Sequence, residues 1–180
     1  VIEQFALPLD SVDGSGDAGN NVYALPASGS EGWGVGATVG AKLASPNRIV
    51  VGLVGDGSLY YADSGLWTAV HHGIPVLYVI PNNRAYGIVA NSFGTNGGNM
   101  KDTGVYAGVV LDDIDPVSLA SGFGLEGERV NDDGQIAESI ARGLRIVQEE
   151  HRPYLLDVRL PLGLPKGGRA SEPFRLSNMR

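Results

Sequence analysis

Cysteine is absent from this chain of 180 residues. Without thiols the protein can form no disulfide framework and no metal site that depends on thiolate ligands. The chain also lacks an apolar run that approaches the roughly 20 residues of a membrane-spanning helix. We therefore expect a cytoplasmic protein without a membrane partner.

Positive charge is also scarce. The chain carries 13 lysines and arginines against 20 aspartates and glutamates, which gives a formal net charge of −7, and its basic residues form no run. Proteins that bind nucleic acid usually carry a basic patch that neutralises phosphate groups. This charge balance argues against nucleic acid and favours a small molecule as the binding partner.

Glycine and apolar residues are abundant instead. Hydrophobic residues make up 43% of the chain, which also contains 27 glycines. This length suits one domain with a full hydrophobic core. Short apolar runs alternate with helical patterns, which is typical of an α/β fold whose mostly parallel sheet is flanked by helices on both faces.

The region 48–83 contains the clearest fold signal. Residues 48–54 form a β-branched run typical of a buried strand, and residues 55–58 (Gly-Asp-Gly-Ser) interrupt it. A helical pattern over 58–73 leads to a second apolar run at 75–80, which is followed by residues 82–83 (Asn-Asn). In a right-handed βαβ unit both polar clusters lie at the carboxyl edge of the sheet, where open α/β sheets bind ligands.

The residue types at this edge point to a metal-linked phosphate site. Glycines allow a backbone to approach a ligand closely, a helix N-terminus favours phosphate, and Ser58 adds a hydroxyl group. The carboxylate of Asp56 would repel phosphate unless a divalent cation lay between them. Asp56 and Asn83 offer the oxygen ligands that Mg²⁺ prefers. Taken separately, Asp56 would be better explained as a helix-capping residue and residues 82–83 as a turn, but together, at the two ends of one βαβ unit, they favour the metal site.

The other elements are predicted from periodicity and from glycine and proline positions. They are a small-residue helix at 32–44, a long glycine-rich loop at 84–113, a short helix at 115–121, a strand at 125–130, an amphipathic helix through 136–147 and a last strand at 154–158. We expect residues 1–160 to form one domain. Residues 161–180 are rich in proline, glycine and arginine and are expected to be a tail or docking arm.

Residues 55–58 and 82–83, about two dozen residues apart, resemble the thiamine-diphosphate motif of the 2-oxo-acid decarboxylase and acetolactate synthase superfamily. The segments 32–44, 113–124 and 153–158 are also similar to these enzymes. Residues 66–69 and 82–87 look most like benzoylformate decarboxylase and its relatives. The resemblance implies the C-terminal, diphosphate-binding domain of a lyase or carboligase, with the thiamine-diphosphate-binding fold.

The resemblance also implies the cofactors thiamine diphosphate and Mg²⁺. It assigns the metal to Asp56, Asn83 and the main-chain oxygen of Ala85. The positions that match the cofactor-binding residues of the family are Gly29, Glu31, Asp56, Gly57, Ser58, Asn83, Tyr86 and Gly87. Those that match the substrate pocket are Ile88, Val89 and Ser92.

The chain departs from the family in two ways. Glu31 stands where the family places an apolar side chain under the cofactor, and a buried carboxylate there would be costly. Either the register is shifted by one or two residues or the pocket is unusual. In addition, the glutamate that activates the cofactor belongs to a separate pyrimidine-binding domain, which this chain does not resemble. No catalytic residue is therefore assigned here.

The absent glutamate implies a partner. The pyrimidine-binding domain is expected to come from another chain, in a homo- or hetero-oligomer, or from a missing segment. Three functions stay open: an enzyme component that decarboxylates a 2-oxo acid or joins two carbonyl compounds, a regulatory module that keeps the site without the chemistry, and an unrelated Mg²⁺-dependent phosphate-binding domain. Glu31 is the residue that favours the second.

Overall fold

The computed structural model describes residues 1–3 and 31–172, and a parallel β-sheet lies at its centre. The strands in chain order are Ile2–Glu3 (β1), Val51–Val54 (β2), Leu77–Asn82 (β3), Val105–Tyr106 (β4), Gly127–Val130 (β5), Tyr154–Arg159 (β6) and Arg169–Ala170 (β7). Five of them form the main sheet in the order β1-β2-β3-β6-β5, with every neighbouring pair parallel. Strands β4 and β7 form a separate parallel pair.

Helices cover both faces of the main sheet. They are Gly34–Ala44 (α1), Asp56–Tyr61 (α2), Ser64–His71 (α3), Gly87–Asn96 (α4), Asn99–Thr103 (α5), Pro116–Gly122 (α6) and Ile136–Glu149 (α7), with a 3₁₀ turn at Asp133–Gln135. One hydrophobic cluster packs α1, α2, α3 and α6 against one face, and a second packs α7 against the other. The predicted fold class is confirmed. Among these helices, none has the length and hydrophobicity needed to cross a membrane.

Strand β3 shows why the central apolar runs are continuous rather than alternating. Tyr78 and Ile80 belong to the cluster that contains α1, whereas Leu77 and Val79 belong to the cluster that contains α7. Because a strand sends successive side chains to opposite faces, burial on both faces requires apolar residues at every position. This burial holds β3 in the middle of the sheet and brings its end, Asn82, to the carboxyl edge.

The crossover helix predicted over 58–73 is wrong as a single element, because the structure divides it into α2 and α3. The break falls at Ala62 and Asp63, two residue types that helices tolerate, so the sequence pattern does not reveal it. A Cβ at Gly65 would lie 2.8 Å from the side chain of Val35, which shows how closely α3 approaches α1.

The region predicted as a long loop, 84–113, also differs, since it contains α4, α5 and β4. The segment contains six glycines, at 87, 94, 97, 98, 104 and 108, which weaken any local helix signal. Tertiary packing supplies the missing stabilisation, because Ala90, Tyr106 and Val109 form a small buried cluster. The described part of the C-terminal segment, residues 161–172, packs here too, with Leu164 in the same cluster and β7 paired to β4.

A close contact between α1 and β2 predicts a large difference between two Gly→Ala variants. A Cβ at Gly52 would overlap the buried side chain of Thr38, whose hydroxyl donates to the oxygen of Gly34 at 2.7 Å. We expect Gly52→Ala to lower the free energy of unfolding by about 2 kcal/mol through overpacking. No described atom lies within 4 Å of a Cβ at Gly40, so Gly40→Ala should raise it by up to about 1 kcal/mol through helix propensity. Urea denaturation measures both, and equal effects would contradict this packing.

Candidate functional site

A cavity of about 460 Å³ opens at the carboxyl ends of β2 and β3. The cavity is lined by most of the residues that were predicted from the sequence to bind the metal, the cofactor or the substrate. These are Glu31, Asp56, Gly57, Ser58, Asn83, Ala85, Tyr86, Gly87, Ile88 and Val89. Gly55, the first residue of the predicted 55–58 motif, lines the cavity as well, and the described lining residues that the sequence did not predict are Tyr61, Asn91 and Gly163. The carboxyl edge of two adjacent parallel strands is therefore the place where the predicted groups meet.

Gly55 and Gly57 carry the chain from β2 into the cavity wall. Gly55 is extended, at φ −61° and ψ 151°, and α2 begins at the next residue, Asp56. A Cβ at Gly57 would lie 2.8 Å from the ring of Tyr86, so the ring rests directly on the main chain at this point. Glycine at this position lets Tyr86 close one side of the cavity without a clash.

Asp56 is the least solvated charge in the cavity. The residue is 3% exposed, and its Oδ2 has no hydrogen-bond partner among the residues that the structure describes. Burial raises the pKa of Asp56 to about 6, although nearby main-chain N–H groups, first that of Gly57, lower it in part. A buried carboxylate with an unpaired oxygen is costly, and a bound cation removes that cost.

The turn after β3 presents Asn83 and Ala85 to the same cavity. Arg84 adopts the left-handed conformation, at φ 55°, which is unfavourable for a residue with a side chain. The Oδ1 of Asn82 accepts from the N–H of Arg84 at 3.1 Å, and the Oδ1 of Asn83 accepts from the N–H of Ala85 at 3.0 Å. The N–H of Leu111 adds a bond of 2.8 Å to the oxygen of Arg84. Two side-chain amides thus shape one strained turn.

The two neighbouring asparagines have different surroundings. Asn83 lines the cavity, whereas Asn82 is buried and its Nδ2 donates to Oδ1 of Asp157 at 2.7 Å. Asp157 is fully buried in β6, and its Oδ2 pairs with Nε of Arg129 at 2.9 Å and with Nε of Arg159 at 3.4 Å. Sequence reasoning missed Asp157. A lone acid inside the apolar run of β6 was the available signal.

Aromatic and acidic side chains form the opposite wall. The rings of Tyr61 and Tyr86 stack with centroids 5.7 Å apart and an angle of 19°. Oε2 of Glu31 accepts from the hydroxyl of Ser58 at 3.3 Å, and Glu31 is exposed. In the described part of the chain the Glu31 carboxylate is therefore exposed at the cavity wall rather than buried.

Helix α4 contributes apolar groups to the rim. Ile88 and Val89 line the cavity with roughly half of each side chain exposed. Ser92 lies one turn further along α4, outside the lining residues, where its Oγ accepts from Nδ2 of Asn96 at 3.2 Å. The structure therefore separates Ser92 from the other two predicted substrate-pocket residues. Gly29 lies outside the described residues.

The charged side chains in the described lining of the cavity are all acidic. Among the residues that the structure describes, its lining includes the carboxylates of Asp56 and Glu31 but no lysine, arginine or histidine. Within 1–3 and 31–172, no group of three or more His, Cys, Asp or Glu side chains has the placement of a metal site. The buried carboxylate of Asp56, with amide and main-chain oxygens beside it, is a ligand set that suits a hard divalent ion.

Comparison with known proteins agrees with this geometry. The family model described as "Thiamine pyrophosphate enzyme, C-terminal TPP binding domain" matches residues 17–158. Benzoylformate decarboxylase of Pseudomonas aeruginosa is 31% identical over 76% of this chain and 24% of its own length. The large subunit of acetolactate synthase isozyme 1 from Escherichia coli is 31% identical over 73% of this chain and 22% of its own length.

A solved structure shows the same similarity. The thiamine diphosphate-dependent 4-hydroxybenzoylformate decarboxylase of Rhodococcus jostii RHA1 superimposes with a TM-score of 0.63 and is 39% identical. The match covers 76% of this chain and 24% of that enzyme. The chain thus spans about a quarter of the length of these relatives. It belongs to the thiamine pyrophosphate enzymes, and the part that matches is their C-terminal TPP-binding domain.

Proposed function

We propose that this chain supplies the Mg²⁺- and diphosphate-binding part of an enzyme that acts on 2-oxo acids with thiamine diphosphate. One observation carries the proposal: the buried carboxylate of Asp56 has an unpaired oxygen in a cavity whose described lining has no cationic side chain. A diphosphate is strongly anionic, and such a cavity would repel it. A divalent cation between Asp56 and the diphosphate reverses that repulsion.

The residues present fit this metal. Asp56 offers a carboxylate oxygen, Asn83 an amide oxygen with a second lone pair beyond its bond to Ala85, and Ala85 a main-chain oxygen. Mg²⁺ usually takes one or two carboxylates, with phosphate oxygens and water completing its octahedron. These groups would therefore hold Mg²⁺, and the cofactor's diphosphate would supply the remaining charge.

The other cavity residues would bind and orient the cofactor. Gly57 and Gly87 leave space beside Tyr86 and Asn83, since a Cβ at Gly87 would lie 2.9 Å from Nδ2 of Asn83. Ser58 offers a hydroxyl, Tyr86 a ring, and Glu31 a carboxylate at the wall. We place Gly29 near the aminopyrimidine ring. When bound, thiamine diphosphate supplies a carbon nucleophile and an electron sink for decarboxylation or carbon–carbon bond formation.

Ile88 and Val89 indicate the class of substrate. Their exposed side chains give the cavity an apolar rim, which suits a 2-oxo acid with an apolar or aromatic substituent. Two of the relatives are named for benzoylformate and 4-hydroxybenzoylformate. We therefore propose an aromatic 2-oxo acid as the first substrate to assay, with Ser92 as a more distant contributor.

A pyrimidine-binding domain completes the proposed site. The described cavity lining contains no histidine, and its two carboxylates are assigned to the metal and to the cavity wall, so the activating glutamate is placed on that other domain. It would come from another chain of a homo- or hetero-oligomer, or from a further segment of the same polypeptide. We propose a cytoplasmic location for the assembled enzyme.

Calorimetric titration of the 180-residue chain tests the binding half of this proposal. Thiamine diphosphate should bind with Mg²⁺ present and not in EDTA, and thiamine without its diphosphate should not bind under either condition. Binding that is independent of Mg²⁺, or that ignores the diphosphate, would contradict the proposed site. A second titration with inorganic diphosphate isolates the contribution of the metal and phosphate groups.

Turnover tests the catalytic half. Benzoylformate consumption should appear only when a pyrimidine-binding domain is added to the chain loaded with Mg²⁺ and thiamine diphosphate.

The second candidate function is a regulatory module. The hydrogen bond between Ser58 and Glu31 favours this function, because the bond occupies a hydroxyl group that a diphosphate would use. Cofactor binding without turnover under any partner would support the regulatory function.

The Glu31–Ser58 contact leads to a prediction of its own. Glu31→Gln keeps the size of the side chain but removes a charge 3.3 Å from the hydroxyl of Ser58. Lower repulsion should strengthen the binding of Mg²⁺-diphosphate by about fivefold, equivalent to about 1 kcal/mol for an exposed charge. Calorimetry measures this change, with Glu138→Gln on the exposed face of α7 as the matched control. Weaker binding in Glu31→Gln would show that the carboxylate assists the ligand.

A further inference from the structure

Asp157 is a fully buried carboxylate at the centre of the sheet. Its neighbours in β6, Leu156 and Val158, belong to the hydrophobic core. A charge in such surroundings requires full pairing, and a buried ion pair is weak evidence for stability because replacing the whole pair with apolar residues is often nearly neutral. Asp157 is therefore a candidate for a role beyond stability. Its hydrogen bonds connect it, through Asn82, to the turn beside the cavity.

The two oxygens of Asp157 have separate partners. Oδ2 accepts from Nε of Arg129 at 2.9 Å and lies 3.4 Å from Nε of Arg159. Arg129 is itself held by Asp115 at 2.7 Å, which also caps α6. This arrangement fixes the carboxylate plane and leaves Oδ1 free to accept from Nδ2 of Asn82 at 2.7 Å.

The contact with Asp157 determines which way the amide of Asn82 points. A carboxylate only accepts hydrogen bonds, so the Nδ2 of Asn82 must face Asp157 and its Oδ1 must face the other way. On that other side Oδ1 accepts from the N–H of Arg84 at 3.1 Å. With the amide reversed, both contacts would become repulsive. Asp157 thereby orients the amide of Asn82 so that its Oδ1 accepts the hydrogen bond from the N–H of Arg84.

Arg84 is the strained residue of the turn that presents the proposed metal ligands. Its φ of 55° is unfavourable for a side-chain-bearing residue, and such strain persists only where surrounding bonds hold it. Asn82 holds Arg84 from the strand side, and Leu111 bonds to its oxygen at 2.8 Å. The residues on either side, Asn83 and Ala85, line the cavity.

We propose that Asp157 is a positioning residue for the metal site, acting through Asn82 on the turn that carries Asn83 and Ala85. This inference rests on the proposed function, because it requires those two residues to bind Mg²⁺. The connection runs from Asp157 to Asn82, from Asn82 to the N–H of Arg84, and from that turn to the two ligands. Neither Asp157 nor Asn82 lines the cavity among the described residues.

The variant Asn82→Asp distinguishes the positioning role of Asp157 from a simple effect of charge on Mg²⁺ affinity. The substitution adds a negative charge next to the proposed ligand Asn83, and Coulomb attraction alone would strengthen Mg²⁺ binding. It also places two carboxylates where the bond of 2.7 Å to Asp157 now lies, which breaks the connection to the turn. We expect Mg²⁺ affinity, measured by calorimetry at saturating thiamine diphosphate, to fall by about tenfold or more, as for other outer-shell partners of metal ligands.

The double variant Asn82→Asp/Asp157→Asn supplies the rescue. The new amide at position 157 can donate to the new carboxylate at position 82, which still accepts from the N–H of Arg84, and the net charge equals that of the unsubstituted chain. Mg²⁺ affinity should return to within about threefold of the original value. Hydrogen exchange of peptides across 83–87 in the metal-free chain should accelerate in Asn82→Asp and slow again in the double variant.

Arg142→Ala is the control for lost stability. It removes a partly exposed ion pair, at 2.8 Å, between Arg142 of α7 and Glu128 of β5, and neither residue lines the described cavity. It should lower the melting temperature without changing Mg²⁺ affinity. Suppose that Asp56→Asn loses Mg²⁺ binding while Asn82→Asp binds Mg²⁺ as tightly as the unsubstituted chain, or more tightly. That result would overturn the positioning role of Asp157 and leave the proposed function standing. Failure of the folded double variant to regain affinity would also overturn it. If the unsubstituted chain binds no Mg²⁺ at all, both the proposed function and this inference are overturned.

Discussion

Asp56→Asn should lower the affinity for Mg²⁺ by about 100-fold or more, because it removes the one carboxylate assigned to the metal. The asparagine has almost the same shape, so the fold of the β2–α2 junction should persist. Calorimetric titration of Mg²⁺ at saturating thiamine diphosphate measures the loss. Asp102→Asn, on exposed α5, is the matched control and should bind Mg²⁺ normally. Normal binding by Asp56→Asn would refute the metal assignment.

The same substitution should stabilise the metal-free chain. Asp56 is buried, its Oδ2 is unpaired among the described residues, and burial raises its pKa to about 6. At pH 7 the native state holds this carboxylate mostly charged, which costs about 3 kcal/mol relative to the unfolded chain. Asp56→Asn removes that cost, so the free energy of unfolding should rise by a similar amount. A variant that loses metal binding and gains stability is hard to explain by general damage to the fold.

The pH dependence of stability gives an independent measure of Asp56. Its pKa is higher in the folded chain than the ordinary 3.8, so the native state binds the proton more tightly. Stability from this group is fully present below about pH 4 and is lost as pH rises to about 6. Urea denaturation between pH 4 and 8 should show this decline, and Mg²⁺ with thiamine diphosphate should oppose it at neutral pH. Part of the decline should remain in Asp56→Asn, because burial also raises the pKa of Glu3.

Gly163→Ala should be the second most damaging change at the site. A Cβ at Gly163 would lie 2.6 Å from Nδ2 and 2.7 Å from Cγ of Asn83, so the asparagine side chain must move. The main chain is also tied there, because the N–H of Gly163 donates to the oxygen of Asn83 at 2.9 Å. We expect Mg²⁺ affinity to fall by about tenfold to 100-fold, with an overpacking cost of about 1–3 kcal/mol in stability.

Lys166→Ala is the matched control for Gly163→Ala. Lys166 lies in the same segment and is exposed, so its replacement should alter neither metal affinity nor stability measurably. Calorimetry and urea denaturation of both variants separate displacement of Asn83 from disturbance of the segment. Unchanged Mg²⁺ affinity in Gly163→Ala would show that Asn83 does not need its present position to bind the metal.

The sequence by itself was enough to identify the helical crossover between β2 and β3 and the two polar clusters that end these strands, although not the division of that crossover into two helices. Both features depend on neighbours in the chain: continuous apolar runs for strands buried on both faces, glycines at the turn, and a helical pattern of crossover length. Parallel strands joined by a crossover helix place their carboxyl ends together, so the meeting of Asp56 and Asn83 in one cavity followed from local pattern alone.

Tertiary structure alone decided how the neighbouring asparagines differ. Asn82 is held by Asp157 and shapes the turn, whereas Asn83 enters the cavity beside Gly163. Asp157 and Gly163 lie far along the chain from both, and contacts between distant residues leave no periodicity or turn signature in a sequence. The division of α2 from α3 is likewise hidden from the sequence, because the residues at the break, Ala62 and Asp63, are types that helices tolerate.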